Sequence, residues 1–274
     1  MKRRYSLAQL TTLELAPPAM ISTAYRTGYQ ACGIRLLPVS PGGVGYPLMD
    51  DPALLKETLA RMGDTGVRIA DLEIIRLTDS FNVGDYMAFF EVGQKLGASN
   101  ILVAGNDTHE ARATESFARL CEACKPYGLT ADIEFMPWLP VDRISAAQRI
   151  VEAAGQTNGG VLVDPLHFAR SASTLDELAA LPGSMIHYAQ ICDAPAGIPS
   201  ETSDLIHAAR CARLPTGEGG IDLKAIFERI PPETLISVEI PNDELRAGMS
   251  AEAWAERCLR TSKQLLDQID AENR

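Results

Sequence analysis

Two hydrophobic patterns alternate along this chain: short apolar runs and longer amphipathic segments. An apolar run of about four to eight residues is typical of a strand buried on both faces, and apolar positions three or four residues apart favour a helix. The pattern predicts eight strands, at residues 5–10, 32–37, 67–75, 100–104, 130–135, 161–163, 185–192 and 236–240. It predicts helices at residues 18–27, 51–62, 88–96, 111–127, 145–154, 175–181, 223–230 and 251–269. Gly63 is expected to end the second helix, and a long polar loop is expected to follow the seventh strand.

The unit of strand, loop and helix repeats at intervals of roughly 25 to 35 residues, which implies parallel strands joined by right-handed crossovers. Eight such units predict an α/β fold, the (β/α)8 TIM barrel, whose usual length is about 250 residues. A doubly wound open sheet is the competing fold, but no Gly-x-Gly-x-x-Gly follows an early strand. No Gly/Ser-rich linker divides the chain. Residues 1–274 are therefore expected to form a single TIM-barrel domain.

Composition narrows the class of protein. The 274 residues are 46% hydrophobic, carry a formal net charge of −11 and contain six cysteines scattered through apolar or helical contexts. A negative charge of this size disfavours general binding to nucleic acid or to an anionic membrane surface. No apolar run approaches the roughly 18 residues of a membrane span. We therefore expect a cytoplasmic protein with reduced thiols that acts on a small molecule, and the sequence leaves self-association into a homo-oligomer open.

Polar side chains with oxygen donors stand where four consecutive predicted strands end. They are Glu134, Asp164, Gln190 and Glu239. In a TIM barrel the chemistry lies at the carboxyl ends of the strands, so these side chains should share one opening. Three carboxylates in one water-poor site repel one another unless a cation joins them. All-oxygen ligation favours Mg²⁺ or Mn²⁺ over zinc, and Co²⁺ is compatible. The alternative is that these residues cap helices or form ion pairs.

Longer motifs around these residues resemble a known family. They are Ile133-Glu-Phe-Met-Pro-Trp138, Val163-Asp-Pro-Leu-His-Phe-Ala-Arg-Ser171, Ala189-Gln-Ile-Cys-Asp-Ala194, Arg213-Leu-Pro-Thr-Gly-Glu-Gly219 and Val238-Glu-Ile-Pro-Asn-Asp243. Together they look like the xylose-isomerase-like, sugar phosphate isomerase/epimerase superfamily. The resemblance implies a divalent metal held by Glu134, Asp164, Gln190 and Glu239. The ketose 3-epimerases of this superfamily have His where Gln190 stands, and Gln at this place is similar to the 3-dehydroshikimate dehydratase branch.

These enzymes share one difficult step, which is removal of a proton next to a carbonyl group. Glu134 and Glu239 are candidates for acid–base catalysis as well as metal binding, and His167 is the best additional acid or base. Candidates for substrate binding are Trp138, as an apolar wall, and Arg210 and Arg213, for an anionic group. The first expectation is a metal-dependent isomerase or epimerase of a small polyhydroxy carbonyl compound, such as a sugar or sugar phosphate. A dehydratase of the 3-dehydroshikimate type is the alternative, and a barrel that only binds its ligand is a third reading. The sequence does not name the substrate.

Overall fold

Eight parallel strands form a nearly closed barrel in the computed structural model of the chain, which describes residues 3–272. The two residues at each end of the predicted domain lie outside this range. The strands are β1 (Tyr5–Leu7), β2 (Ala31–Arg35), β3 (Arg68–Leu77), β4 (Asn100–Gly105), β5 (Thr130–Glu134), β6 (Gly159–Leu162), β7 (Tyr188–Ile191) and β8 (Leu235–Val238). Their order in the sheet is β6-β5-β4-β3-β2-β1-β8-β7. A bridge between Val163 and Ala189 joins the two ends of the sheet. The predicted (β/α)8 TIM barrel is confirmed.

Helices connect the strands on the outside of the barrel. They are α1 (Pro17–Thr27), α2 (Pro52–Thr65), α3 (Met87–Leu96), α4 (Glu110–Cys124), α5 (Ile144–Ala154), α6 (Pro165–Arg170), α7 (Leu175–Ala180), α8 (Thr202–Cys211), α9 (Leu223–Phe227) and α10 (Ala251–Glu272). Within the described residues, no helix is both long enough and apolar enough to cross a bilayer.

Three local predictions were wrong. The second helix does not stop at Gly63 but continues to Thr65, and Gly66, with φ of 73°, ends it. The seventh strand is shorter than predicted, because a 3-10 turn occupies Gly183–Met185. The region after Asp164, where no helix is predicted, contains α6, and the region expected to be a long polar loop after β7 contains α8.

The alternation of side chains along each strand separates two apolar regions. The larger one lies between the barrel and the helices and includes Phe117 and Trp254. The smaller one fills part of the barrel interior, with Ile74, Leu102 and Tyr188 among its members. Polar side chains that face inward are therefore surrounded by the eight strands and lie next to the apolar side chains of the barrel interior. This arrangement positions the candidate site.

Candidate active site

A cavity of about 230 Å³ opens at the carboxyl ends of the strands. Its polar lining includes Glu134, the last residue of β5, and Glu239, directly after β8. Apolar side chains form most of the remaining wall, and they include Leu10, Leu13, Val39, Ile74, Leu102 and Met136. A cavity with an apolar wall and a few convergent polar groups is the usual form of a small-molecule site.

Three acidic or basic side chains in this region lie close enough to share a cation. Nε2 of His167 is 3.7 Å from Oε1 of Glu134 and 3.7 Å from Oδ2 of Asp164. Each of the three residues offers one donor atom, and these atoms all lie within 4.8 Å of one another. The sequence argument had grouped Glu134 and Asp164 with Gln190 and Glu239 and had kept His167 outside the ligand set. The structure brings His167 to the same point.

Among residues 3–272, two of the predicted ligands have a buried oxygen atom without a hydrogen-bond partner, namely Oε1 of Glu134 and Oε1 of Gln190. An unpaired buried acceptor is costly, and a cation or an ordered water molecule removes that cost. Gln190 lies on the inward face of β7, opposite Ser237 of β8. The donor set of carboxylate and amide oxygens therefore fits a divalent metal.

Arg213 is a buried cation between two of the predicted ligands. Its side chain is only 2% exposed, with Nη1 2.6 Å from Oδ2 of Asp164 and Nη2 2.9 Å from Oε2 of Glu239. Nε donates to the carbonyl oxygen of Ala209 at 2.8 Å, and this bond fixes the guanidinium plane. The guanidinium is therefore already engaged by the protein, and the prediction that Arg213 contacts the substrate stays a prediction.

The charges at this point sum to a value that suits a divalent ion. Glu134, Asp164 and Glu239, when ionised, carry three negative charges, and Arg213 carries one positive charge. The remainder is −2, and an ion of charge +2 would bring the buried group to neutrality. Burying uncompensated charge costs several kcal/mol per ion, on the order of the whole stability of a domain.

Burial changes the proton affinity of these groups. It raises the pKa of Glu134 well above its usual range, and the charges of Glu239 and Asp164 raise it further. Burial also raises the pKa of Glu239 to about 7, although Arg213 opposes the change. The pKa of Asp164 is lowered, because Arg213 and His167 outweigh the effect of burial. Burial lowers the pKa of His167 to about 4, so its ring is neutral near pH 7.

Short-range contacts orient His167 and the ligand next to it. Asp164 precedes α6, and its Oδ1 accepts a hydrogen bond from the backbone N–H of Leu166 at 2.7 Å, as an N-cap does. Asp164 is thus a helix cap and a member of the buried charge group at once. Trp138 packs edge-on against His167, with ring centroids 5.1 Å apart and an interplanar angle of 80°. Both rings line the cavity.

Arginines line the other side of the cavity. Arg210, near the end of α8, is exposed and lines the cavity, and its predicted contact with the substrate stays a prediction. Arg76 was missed, because the predicted third strand ended one residue before it. In the structure β3 continues to Leu77, and Arg76 donates to Oδ1 of Asn106 at 3.1 Å. Burial lowers the pKa of Arg76, and the nearby charge of Arg210 lowers it further.

Arg35 and Glu73 also face the cavity, and they form a buried ion pair at 2.5 Å. The pairing of β3 with β4 shifts between Leu72 and Ile75, so that Glu73 and its neighbour Ile74 both line the cavity. Strict alternation along the strand would send one of them outward. The sequence offered no signal for this irregularity.

Comparison with known proteins places the chain in a family. The profile of the xylose isomerase-like TIM barrel family matches residues 24–265. The chain belongs to that family. The family includes enzymes, and relatives of this chain are named for isomerase and dehydratase activities.

Two curated relatives differ in reaction. A 3-dehydroshikimate dehydratase from Pseudomonas aeruginosa is 28% identical over 167 residues, which is 58% of this chain and 26% of the relative. An inosose isomerase from Bacillus velezensis is 26% identical over 165 residues, which is 57% of this chain and 54% of the relative. The matched regions therefore span about a quarter and about half of these relatives.

Among solved structures, the IolI protein, crystallised with a bound zinc atom, has a TM-score of 0.79 and 19% sequence identity to this chain. The match covers 97% of this chain and 99% of that one. At this identity the similarity establishes the fold.

Proposed function

We propose that the protein is a metal-assisted lyase that dehydrates a small hydroxylated keto acid, such as 3-dehydroshikimate. The observation that carries this proposal is the pair Arg76 and Arg210. Both guanidinium groups line the cavity, and within residues 3–272 neither forms an ion pair with a carboxylate. Two like charges that face one cavity repel each other unless an anion lies between them. A substrate carboxylate supplies that anion and can accept two parallel hydrogen bonds.

The reaction needs a proton acceptor beside the carbon next to the substrate carbonyl. Glu239 lines the cavity and is a candidate for this proton acceptor. His167 is neutral near pH 7 and can accept or donate a proton through Nε2, which lies 3.7 Å from Glu134. The C–H bond breaks first, and the C–O bond of the β-hydroxyl breaks next. The leaving hydroxide takes up a proton, and water is released. Trp138 and the apolar wall restrict access of bulk water to this step.

Glu134, Asp164, Gln190 and Glu239 would hold the divalent ion, which polarises the substrate carbonyl when bound. The two unpaired oxygens of Glu134 and Gln190 support this assignment. Oxygen ligation favours Mn²⁺ or Mg²⁺, with Co²⁺ compatible. Metal analysis of the purified protein tests the choice, because the IolI relative binds zinc.

An isomerase or epimerase of a polyhydroxy ketone is the second candidate. Glu134 and Glu239 line the same cavity, so one carboxylate can take a proton while the other returns it at another face or carbon. The inosose isomerase relative is in keeping with such a reaction. A neutral polyhydroxy ketone gives Arg76 and Arg210 no charged partner, and for this reason we rank it second.

One assay separates the two candidates. Protein loaded with Mn²⁺ is mixed with 3-dehydroshikimate, and formation of the aromatic product protocatechuate is followed by ultraviolet absorbance. We expect product formation by the wild type. Absence of product, together with entry of solvent deuterium into an inosose or ketose, would reject the dehydratase and favour the second candidate.

Substitution of the two arginines tests substrate recognition. Arg76→Gln and Arg210→Gln should each raise KM for the keto acid roughly 10- to 100-fold, since a charge-assisted hydrogen bond contributes about 1.5–3 kcal/mol. Arg119→Gln is the matched control, because Arg119 is exposed on α4 and pairs with Glu115. An unchanged KM in both active-site variants would rule out this carboxylate site.

A further inference from the structure

A separate cavity, of about 370 Å³, is lined by residues of α6, of α8 and of the segment between β7 and α8. It shares no lining residue with the catalytic cavity. Arg170 and His207 contribute its polar groups, and Pro195, Ile198, Pro199 and Ala208 are among its apolar residues. The cavity is open to solvent on one side. It lies on the surface of the barrel and has a size suitable for a small molecule.

Arg170 is a buried cation without a counter-charge. It is the last residue of α6 and is 8% exposed. Nη2 donates to the carbonyl oxygen of Pro195 at 2.5 Å, whereas Nε is buried and has no hydrogen-bond partner in the described part of the chain. Within residues 3–272, no carboxylate forms an ion pair with it. Burial lowers the pKa of this guanidinium.

A purely structural role would explain only part of this arrangement. A guanidinium offers five N–H donors in a planar fork, and the Pro195 carbonyl uses one of its nitrogens. Burying a charge without an opposite charge costs several kcal/mol. An anion that enters the cavity would accept hydrogen bonds from the unused donors and neutralise the charge. Other buried arginines of this protein, such as Arg35 and Arg213, form ion pairs with Glu or Asp side chains. Arg170 forms no such ion pair with the residues that the structure describes.

The rest of the cavity selects among anions. Its walls are aliphatic side chains and prolines, and Ile198 at its edge is 60% exposed. A phosphate would meet one arginine, one histidine and an otherwise apolar wall, which leave most of the hydrogen-bonding capacity of its oxygen atoms unused. A carboxylate attached to a compact apolar body matches both the fork and the wall. We infer that this cavity is a binding site for a small organic monocarboxylate, separate from the catalytic cavity.

Benzoate is a suitable probe, and isothermal titration of the full chain measures its binding. Because benzoate could also bind Arg76 and Arg210, the background for the test is the double variant R76Q/R210Q. We expect this background to bind one benzoate with a Kd of about 0.1–1 mM, a range typical of one charged contact with a modest apolar area. Adding Arg170→Gln should weaken binding at least tenfold. Adding Arg119→Gln, at an exposed arginine of α4, should leave the Kd unchanged.

A second variant protects the test against a folding defect in Arg170→Gln. Ile198→Asp places a negative charge at the exposed edge of the cavity and leaves Arg170 intact, and it too should weaken benzoate binding. Equal affinity in the background and in both of these variants would overturn the proposal. Equal affinity for neutral benzamide, or tighter binding of inorganic phosphate, would overturn the assignment to an apolar monocarboxylate. If the wild type binds benzoate and the R76Q/R210Q background does not, this site fails while the proposed catalytic carboxylate site stands.

Discussion

Arg213 shows how one buried residue can hold two candidate metal ligands in place. Its two Nη atoms lie within 3 Å of carboxylate oxygens of Asp164 and Glu239. Burial lowers the pKa of Arg213, but the charge of Asp164 opposes this effect, and the pKa lies well above its usual range. Asn242 donates to the carbonyl oxygen of Arg213 at 2.7 Å and so anchors the backbone as well. The guanidinium therefore holds two candidate metal ligands at a fixed separation.

Arg213→Gln should lower the free energy of unfolding by about 3–5 kcal/mol, because removal of one partner leaves buried charges unpaired. We expect Mn²⁺ to restore more stability to the variant than it adds to the wild type, since the ion supplies the missing positive charge. Urea unfolding with and without Mn²⁺ measures both effects. Arg257→Gln, which removes a partly exposed ion pair with Glu218, serves as the control. Equal Mn²⁺ effects in the wild type and the Arg213 variant would contradict this account.

His167 lies close enough to Glu134 and Asp164 to act either as a metal ligand or as an acid–base group. If it acts as acid or base, His167→Ala should lower kcat roughly 10²- to 10⁴-fold and leave the metal content unchanged. Glu134→Gln should lose the metal, because it removes a charge from an oxygen that has no other partner. Metal content measured by atomic emission, together with kcat, distinguishes the two roles. Loss of metal in His167→Ala would make His167 a ligand.

At the scale of elements, α2 shows how two glycines in one segment act in opposite ways. Gly63 lies inside the helix, where no atom within 4 Å would meet an added Cβ. Gly66 has φ of 73° and closes the helix, and its N–H donates to the carbonyl oxygen of Met62 at 2.8 Å. The sequence pattern predicts that the helix ends at Gly63. The left-handed backbone at Gly66 is what ends the helix.

Gly63→Ala should therefore raise the free energy of unfolding by about 0.5–1 kcal/mol, since alanine loses less backbone entropy in a helix. Gly66→Ala should lower it by about 1 kcal/mol, because alanine is strained at positive φ. Chemical denaturation of the two single variants measures the contrast. A loss of stability in Gly63→Ala would mean that this part of α2 does not stay helical.

The helices α6 and α8 carry much of the candidate chemistry and were both missed. Six residues of α6 give too short a pattern for helical periodicity, and Pro165 reads as a break after a strand. In α8 only Ala209 is buried, so few of its side chains pack against the barrel. His167 belongs to α6 and Arg210 to α8. Their positions at the cavity follow from how these short helices pack on the barrel.

At the scale of the whole molecule, the barrel interior contains polar groups near the amino-terminal ends of the strands as well as near their carboxyl ends. Near the amino-terminal end, Nδ1 of His187 lies 2.6 Å from Oδ1 of Asp132, and Asp132 is fully buried. A side chain at Gly160 would collide with both atoms, so glycine is required there. Burial lowers the pKa of His187, but the hydrogen bond and charge of Asp132 outweigh it, and the pKa is raised.

This pair predicts a pH-dependent part of the stability. The unfolded pKa of histidine is about 6.5, so a raised folded pKa contributes stability that is fully present below about pH 6.5. The contribution is lost as the pH rises through the folded value. The difference in free energy of unfolding between wild type and His187→Gln should therefore shrink from pH 6 to pH 9. A constant difference for His187→Gln would reject the ion pair.

The sequence by itself determined the fold class, because periodicity and turn residues are local properties and eight similar units close in few ways. It also determined that carboxylates and an amide stand at strand ends, since register along a strand is readable from alternation. The tertiary structure decided which side chains meet. It places Arg213 between Asp164 and Glu239 and Arg76 in the same cavity as Arg210. It also places Arg170 against the carbonyl oxygen of Pro195. In each case the residues come from segments that are distant along the chain. The energies of these contacts depend on separation and burial, and these quantities exist only in the folded chain.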